Sequence, residues 1–264
     1  MNADTATAAR VGFFTDTSVC IGCKACEVAC NEWNQLPVST TPTMTGHSYD
    51  NTSMLGADAW RHVAFVEQGR GSHGDELRWL MSSDVCKHCT EAACLDVCPT
   101  GSLFRTEFGT VVVQDDVCNG CGYCVPACPF GVIERREEDG RVFKCTLCYD
   151  RLRDGMEPAC ATACPTDSIQ FGSLDELRER AKARVGELHE RGVADARLYG
   201  HDDADGIGGA SCFFLLLDDP EVYRLPPRPV TTTRHLVGTW AGALGTAVAL
   251  IGLLGTSALG RRGR

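Results

Sequence analysis

Short stretches in which apolar and polar residues alternate recur along the chain, separated by glycine, proline and acidic residues. Such alternation predicts strands that bury one face, and two of them across a tight turn predict a β-hairpin. The predicted strands cover residues 11–15, 61–67, 77–81, 102–106, 110–114, 131–136, 141–144, 196–199 and 211–217. Hairpins are predicted over 61–81, 102–114 and 131–144, the first with a glycine-rich turn at 69–71.

Two polar segments interrupt this pattern. The residues before Val11 are polar and rich in alanine, which predicts a disordered terminus. Pro, Thr, Ser and Gly crowd positions 37–56, which predicts an irregular surface loop.

One segment has helical rather than strand periodicity. Between 173 and 191 apolar residues recur three or four positions apart, with charged residues between them: Leu174, Leu177, Ala181, Val185 and Leu188. This spacing predicts an amphipathic helix, and Asp175 and Glu176 favour its start because of the helix dipole. Strands and helix together indicate an α+β fold.

The stretch 236–259 contains no charged residue and is rich in Gly, Ala and Leu. As a helix, at about 1.5 Å per residue, it would be longer than the roughly 30 Å hydrocarbon core of a bilayer. Arg234 precedes it and Arg261 follows it. We therefore expect Leu236 to Leu259 to be a membrane-spanning helix, although arginines at both ends leave its orientation open.

The chain has a formal charge of -10, which makes nucleic acid an unfavourable partner. Its most unusual feature is its 17 cysteines. The first residues contain neither a basic region nor an apolar stretch, so a signal peptide and the disulfide scaffold of a small secreted protein are not expected. Clustered cysteines in this context indicate metal ligands.

Sixteen of the cysteines fall into four groups, called quartets below. They are Cys20, Cys23, Cys26 and Cys30; Cys86, Cys89, Cys94 and Cys98; Cys118, Cys121, Cys124 and Cys128; and Cys145, Cys148, Cys160 and Cys164. The third has the spacing C-x2-C-x2-C-x3-C-P of bacterial ferredoxins, in which three cysteines bind one iron–sulfur cluster and the fourth binds its neighbour. A single zinc ion uses two pairs instead, so the spacing favours iron–sulfur over zinc.

Four quartets provide ligands for four 4Fe–4S clusters, and the ferredoxin rule pairs the quartets. A predicted hairpin links the second quartet to the third, which favours pairing these two and, by default, the first with the fourth. Spacing alone leaves open the alternative pairing of first with second and third with fourth.

Several motifs resemble one protein family: Cys-Asn-Glu-Trp-Asn at 30–34, Phe-Lys-Cys-Thr-Leu-Cys-Tyr-Asp-Arg at 143–151, Gly-His-Ser-Tyr-Asp-Asn-Thr at 46–52 and Trp-Arg-His-Val-Ala-Phe-Val-Glu at 60–67. With the quartets, they resemble the iron–sulfur subunits of molybdopterin oxidoreductases, most of all the beta subunit of membrane-bound formate dehydrogenase.

The resemblance implies the nested pairing and four ligand sets, each named below by its first residue. These are the Cys20 set (Cys20, Cys23, Cys26, Cys164), the Cys30 set (Cys30, Cys145, Cys148, Cys160), the Cys86 set (Cys86, Cys89, Cys94, Cys128) and the Cys98 set (Cys98, Cys118, Cys121, Cys124). It also implies two nested ferredoxin-like double-cluster modules. The expected domains are residues 1–172 with a hairpin insertion at 35–85, a helix–strand extension at 173–230 and a membrane anchor at 231–264.

The implied function is electron transfer, without a catalytic site in this chain. Electrons would come from a molybdenum or tungsten pterin subunit and pass to a membrane cytochrome b subunit. The resemblance also places the chain at the cell membrane as a single-pass protein, with its cluster domain on the periplasmic face and exported with a partner that carries a twin-arginine signal. Alternatives are the same relay in a hydrogenase or another molybdopterin oxidoreductase, or a zinc-binding membrane adaptor.

Five residues outside the quartets have chemistry that needs an interpretation. His88 is expected to pack or to donate to a sulfur, and His235 to lie at the membrane interface rather than bind haem. Lys24 and Lys87 lie between ligands, where their charge would raise cluster potentials, but solvated side chains are the default expectation. Cys212 lies in a predicted apolar strand and is expected to be a small buried side chain.

Overall fold

The computed structural model describes residues 10–37, 54–69, 77–234 and 236–261. Its strands are β1 (Val11–Asp16), β2 (Arg61–Gln68), β3 (Arg78–Val85), β4 (Leu103–Arg105), β5 (Val111–Val113), β6 (Glu134–Arg135), β7 (Val142–Phe143), β8 (Ile169–Ser173), β9 (Arg197–Tyr199) and β10 (Cys212–Leu216). Its α-helices are α1 (Ala25–Asn34), α2 (Ala93–Asp96), α3 (Cys124–Ala127), α4 (Tyr149–Arg153), α5 (Ala159–Thr162), α6 (Leu174–Glu190) and α7 (Leu236–Arg261). The predicted disorder before Val11, the loop within 37–56 and the turn at 69–71 lie largely outside these residues.

A four-stranded sheet in the order β8-β1-β10-β9 forms the centre of the protein. Its inner pair, β1 and β10, is parallel, with Phe13 opposite Cys212, whereas the outer pairs are antiparallel. Gly12 allows this pairing, because a Cβ atom there would lie 1.8 Å from the carbonyl oxygen of Ser211. The sheet therefore joins strands on both sides of the boundary predicted at 172.

The two faces of this sheet are covered differently. Phe14, Phe213 and Leu215 pack against the apolar side of α6, formed by Leu174, Leu177, Ala181 and Leu188. Phe13 and Cys212 belong to a second buried cluster, which includes Cys26, Cys145 and Cys160. The apolar residues on both sides explain why β10 is buried throughout, as expected for a central strand. Helix α6 thus covers one face, while segments that carry cysteines, among them α1 and α5, cover the other.

The predicted helix and hairpins are confirmed. Helix α6 occupies nearly the predicted range, with Asp175 and Glu176 in its first turn. Strands β2 and β3, β4 and β5, and β6 and β7 form three antiparallel pairs. The predicted strands at the chain's beginning and after α6 are present as β1, β9 and β10.

After the predicted strand at 11–15, the sequence predicts a loop that carries the first quartet, and the structure differs from this prediction. Cys26 and Cys30 lie on α1, which begins after Lys24 in a left-handed conformation with φ 60°. The same arrangement recurs, since Cys94, Cys124 and Cys160 also lie at the first or second residue of a short helix. The prediction was wrong because the C-x2-C spacing indicates a loop, while the helix begins only at the residue before the third cysteine.

The uncharged stretch at 236–259 is helical and belongs to α7. Across the described parts of the chain, no helix meets the combined length and hydropathy required of a membrane span. The structure therefore supports the predicted helix and leaves the predicted membrane span unsupported.

Candidate cluster-binding sites

The short helices that carry the third cysteine of each quartet pack in pairs. Helix α1 of the first quartet contacts α5 of the fourth, and α2 of the second contacts α3 of the third. The first quartet therefore lies beside the fourth, and the second lies beside the third. These contacts are the ones that the nested pairing requires, while the ligand sets themselves stay a prediction.

The Cys20 set lines one cavity. Cys20, Cys23, Cys26 and Cys164 all border it, together with Ser83 and Thr166. The hydroxyl of Ser83 lies 3.2 Å from Cys26 Sγ, and that of Thr166 lies 3.8 Å from Cys164 Sγ. Burial raises the pKa of Cys20, and Cys164 adds to this effect through its charge.

The Cys30 set is the most deeply buried. Burial raises the pKa of Cys30 strongly, and the charges of Cys145, Cys160 and Cys148 raise it further. The backbone N–H of Leu147 donates to Cys145 Sγ at 3.3 Å. The amide nitrogen of Asn34 lies 3.7 Å from Cys30 Sγ.

The second and third quartets form the other two groups. Cys86, Cys89, Cys94 and Cys128 line a single cavity beside His88 and Lys144. Burial raises the pKa of Cys124 to about 11, and the charges of Cys118, Cys121 and Cys98 contribute to this rise. The Cys98 set is also the more exposed one, since Cys121 is exposed and Cys98 and Cys118 are half-buried.

Thiols of different sets also lie close to one another. Burial is the main cause of a raised pKa at Cys26, Cys145 and Cys94, and in each case a cysteine of another set adds to it. Cys160 does so at Cys26, Cys86 at Cys145, and Cys124 at Cys94. The four sets therefore follow one another in space in the order Cys20, Cys30, Cys86, Cys98.

Two of the family-like motifs contact each other in the structure. Trp33 Nε1 donates to Asp150 Oδ2 at 2.8 Å. The guanidinium carbon of Arg151 lies 4.2 Å from the centroid of the Trp33 ring. These contacts join α1 to α4 and hold the first quartet against the fourth. Sequence reasoning quoted both motifs without detecting their contact, because nothing in one segment identifies the other.

Three cationic side chains are buried among the thiols: Arg61, Lys87 and Lys144. The expectation of a solvated Lys87 was wrong, because its ammonium group pairs with Asp84 and lies 5.1 Å and 5.0 Å from the ring centroids of Phe130 and Phe214. Lys24 is half-buried and pairs with Glu27 at 3.2 Å. The buried positions of Arg61 and Lys144 had no signal in the sequence.

Lys144 lies between two sets. Its ammonium group donates to the carbonyl oxygens of Val111 and Cys145. Burial opposes its charge, but the thiols of Cys86, Cys94 and Cys145 outweigh this effect and raise its pKa. A fixed positive charge therefore lies where the Cys30 and Cys86 sets meet.

The donor groups present fit iron–sulfur clusters. Buried thiolates need compensating charge and hydrogen bonds, and the lysines and arginine provide the charge. Arg61 Nε, Arg61 Nη2 and His88 Nε2 are buried nitrogen atoms without a hydrogen-bond partner among the described residues, so donors remain available beside the sulfurs. Within the described ranges, no three His, Cys, Asp or Glu side chains are arranged to hold a single metal ion.

The remaining predicted residues have simpler positions. Cys212 is 1% exposed, as expected of a small buried side chain, and lies near Cys145 and Cys86, whose charges add to the effect of burial in raising its pKa. His235 lies outside the described residues, as does the motif at 46–52.

Comparison with known proteins independently indicates iron–sulfur clusters. A family model described as a 4Fe-4S dicluster domain matches residues 77–174, and another of the same description matches residues 19–102. Together the two matches cover all four quartets.

Three curated proteins are similar over most of their length. The formate dehydrogenase iron-sulfur subunit of Haemophilus influenzae is 44% identical over 218 residues, which are 81% of this chain and 68% of that protein. The B subunit of the anaerobic dimethyl sulfoxide reductase of Escherichia coli is 38% identical over 65% of this chain and 77% of its own length. The iron-sulfur subunit of the nitrate-inducible formate dehydrogenase of Escherichia coli is 41% identical over 243 residues, which are 89% of this chain and 78% of that protein. At this identity and coverage, the protein belongs to the family of formate dehydrogenase iron-sulfur subunits.

Proposed function

We propose that this chain is the electron-transfer subunit of a formate dehydrogenase complex, with four 4Fe–4S clusters as its relay. One observation carries the proposal: sixteen cysteines form four groups, and each group has a thiol near a thiol of the next group. A relay needs neighbouring redox centres, whereas a structural metal site does not. The two relatives named as formate dehydrogenase subunits support the assignment to formate.

The proposed ligands are the Cys20, Cys30, Cys86 and Cys98 sets. When bound, 4Fe–4S clusters accept and release single electrons, and their potentials depend on burial and on hydrogen bonds to sulfur. This chain provides both, since the Cys30 set is buried and backbone N–H groups such as that of Leu147 donate to its thiols. The Cys20 and Cys98 sets, at the two ends of this succession, are more exposed, since Cys23 and Cys121 are exposed. Electrons would enter and leave there.

Iron analysis of the purified complex, after the haem iron of the cytochrome subunit is subtracted, tests the number of clusters. Four clusters require about sixteen irons in this chain, four for each cluster. A chain with zinc and no iron would contradict the relay and favour a structural zinc protein.

Replacing single cysteines tests the ligand sets. Cys30→Ala is expected to alter the electron paramagnetic resonance (EPR) signal of the cluster bound by Cys145, Cys148 and Cys160. Damage confined to the cluster of Cys86, Cys89 and Cys94 would contradict the nested pairing. Cys212→Ala is the matched control, because Cys212 is equally buried and belongs to no set, so it is expected to leave all four signals unchanged.

The partners are a molybdenum or tungsten pterin subunit as electron donor and a membrane cytochrome b as acceptor. The resemblance supports both, together with a location at the cell membrane and a cluster domain on the periplasmic face. Helix α7 has large exposed apolar side chains, among them Trp240, Leu244 and Ile251, which agree with a partner or lipid contact. Separating membranes from soluble protein, with and without residues 236–261, tests this location. The full chain is expected with the membranes and the shortened chain without them.

The similarity to a dimethyl sulfoxide reductase subunit supports a second candidate, the same relay with another catalytic subunit. The catalytic subunit that co-purifies with this chain distinguishes the two. Formate oxidation by that subunit is expected. Activity with hydrogen or with a sulfoxide instead would keep the relay role of this chain but assign it to a different catalytic subunit.

A further inference from the structure

Arg61 is a buried cation that has no carboxylate partner in the described part of the chain. It is 1% exposed at the start of β2, and no carboxylate of the described residues forms an ion pair with it. An unpaired buried charge costs several kcal/mol, so a folded protein keeps one only where something balances it. The groups around Arg61 identify the negative charge that balances it.

The guanidinium lies where the Cys20 and Cys30 sets meet. Burial opposes its charge, but four thiols outweigh this effect and raise its pKa; in decreasing order of effect they are Cys160, Cys26, Cys145 and Cys30. Three of these belong to the Cys30 set, and Cys26 belongs to the Cys20 set. No thiol of the other two sets is among these principal effects on its pKa.

Contacts on one side fix the guanidinium. Nη1 donates to the carbonyl oxygen of Ser83 at 3.3 Å and to its hydroxyl at 3.0 Å. The same hydroxyl lies 3.2 Å from Cys26 Sγ. The guanidinium carbon also lies 4.9 Å from the centroid of the Phe13 ring, which belongs to the central sheet.

The other nitrogen atoms have no such contacts. Nε and Nη2 are buried and have no hydrogen-bond partner in the described protein. A buried N–H group without an acceptor is unfavourable, and the thiols are the nearby groups with the charge to accept from it. The position, charge and free donors of Arg61 thus all point to the two thiol sets.

We propose that Arg61 is the shared counter-ion and hydrogen-bond donor of the clusters held by the Cys20 and Cys30 sets, and that it raises the reduction potential of both. The inference rests on the proposed function. Reduction adds negative charge to a cluster, and a fixed positive charge beside it stabilises the reduced form. Since Arg61 lies between two clusters, it acts on two of the four potentials.

The test is a potentiometric titration of the holo complex, followed by EPR, with the Arg61→Gln and Arg61→Lys variants. In Arg61→Gln two of the four midpoint potentials are expected to fall, while the other two stay constant. Arg61→Lys keeps the charge and is expected to restore most of the shift. A purely structural role would give the two variants the same effect. Four unchanged midpoints in Arg61→Gln would overturn the proposal.

Arg197→Gln is the matched control, because Arg197 pairs with Asp219 on the surface and its side chain is 42% exposed. All four midpoints are expected to stay at their original values in this variant. A shift as large as that of Arg61→Gln would show a general effect of lost positive charge and would contradict a local one.

A measurement on the unchanged protein covers the case in which Arg61→Gln loses its clusters. Labelling with ¹⁵N-arginine and recording pulsed EPR on the reduced complex is expected to show a nitrogen coupling, which Arg61→Lys removes. Absence of this coupling would overturn the role of Arg61. Absence of 4Fe–4S signals from the unlabelled complex would instead contradict the proposed function, so the two failures are distinguishable.

Discussion

The ring of His88 accepts a hydrogen bond at Nδ1 from the backbone N–H of Val111, with an N–N distance of 3.1 Å. Burial, with the positive charges of Lys144 and Arg105, lowers the pKa of His88 well below its usual value, so the ring is neutral at pH 7. The single ring proton is then on Nε2, which is buried beside the Cys86 set and has no partner among the described residues. His88 is therefore a fixed neutral donor.

We expect His88→Leu to lower the midpoint potential of the Cys86-set cluster. A neutral hydrogen bond contributes about 1 kcal/mol, which for a one-electron couple corresponds to a shift on the order of 40 mV. The measurement is a potentiometric titration followed by EPR. His189→Leu is the control, because His189 contacts the carbonyl of Ala196 instead. Equal potentials in the His88 variant and the original protein would rule out this donor.

Lys144→Met is expected to affect stability and potential together. The ammonium group donates to the buried carbonyl oxygens of Val111 and Cys145, and their loss of a donor costs about 1–3 kcal/mol. The clusters of the Cys30 and Cys86 sets would also lose a positive charge and shift to lower potential. Chemical denaturation and the same titration measure the two effects. A fall in stability with four constant potentials would limit Lys144 to a structural role.

Gly12→Ala is expected to prevent stable folding of the central sheet. The added Cβ atom would lie 1.8 Å from the Ser211 carbonyl oxygen, so β1 and β10 would have to separate. The Cys20 and Cys30 sets would lose their common support, because Phe13 and Cys212 pack with their thiols. Iron content and soluble yield measure the effect. Gly172→Ala is the control on neighbouring β8, where an added Cβ meets nothing within 4 Å.

Asp16→Ala is expected to lower the free energy of unfolding by about 1–3 kcal/mol, because it leaves half-buried donors without their acceptor. Asp16 Oδ2 accepts from Arg184 Nε at 2.9 Å, and Oδ1 accepts from the backbone N–H of Ser18 at 2.9 Å. These contacts hold the turn between β1 and Cys20 against α6. Glu179→Gln in the exposed pair with Lys182 should change the free energy of unfolding by less than about 0.5 kcal/mol. Thermal unfolding of both variants gives the comparison.

The sequence predicted those features that depend on nearby residues. Each hairpin has its two strands and turn in one short segment, and the periodicity of α6 lies within its own residues. The quartets were recognisable because ligand spacing is a local property. The start of α1 was missed, since Lys24 adopts a left-handed conformation that residue type does not indicate.

Features that depend on distant residues were beyond the sequence. The parallel pairing of β1 with β10 joins opposite parts of the chain, and each strand alone is compatible with several partners. Arg61, Lys87 and Lys144 were hard to place for another reason. Charged residues are usually exposed, and the thiols around Arg61 and Lys144, like the Phe130 and Phe214 rings around Lys87, come from distant parts of the sequence.

The pairing of β1 with β10 also has a consequence for biosynthesis. Thr17, at the end of β1, donates to the carbonyl of Leu215, 198 residues later, so the first strand obtains this neighbour only when most of the described chain has left the ribosome. The hairpin β4–β5 needs no such delay, since its strands are adjacent. The second quartet depends on the same late segment, because Cys89 pairs with Ala210 and the backbone N–H of Cys212 donates to the carbonyl of Lys87. Three of the four ligand sets therefore reach their final surroundings only near the end of synthesis.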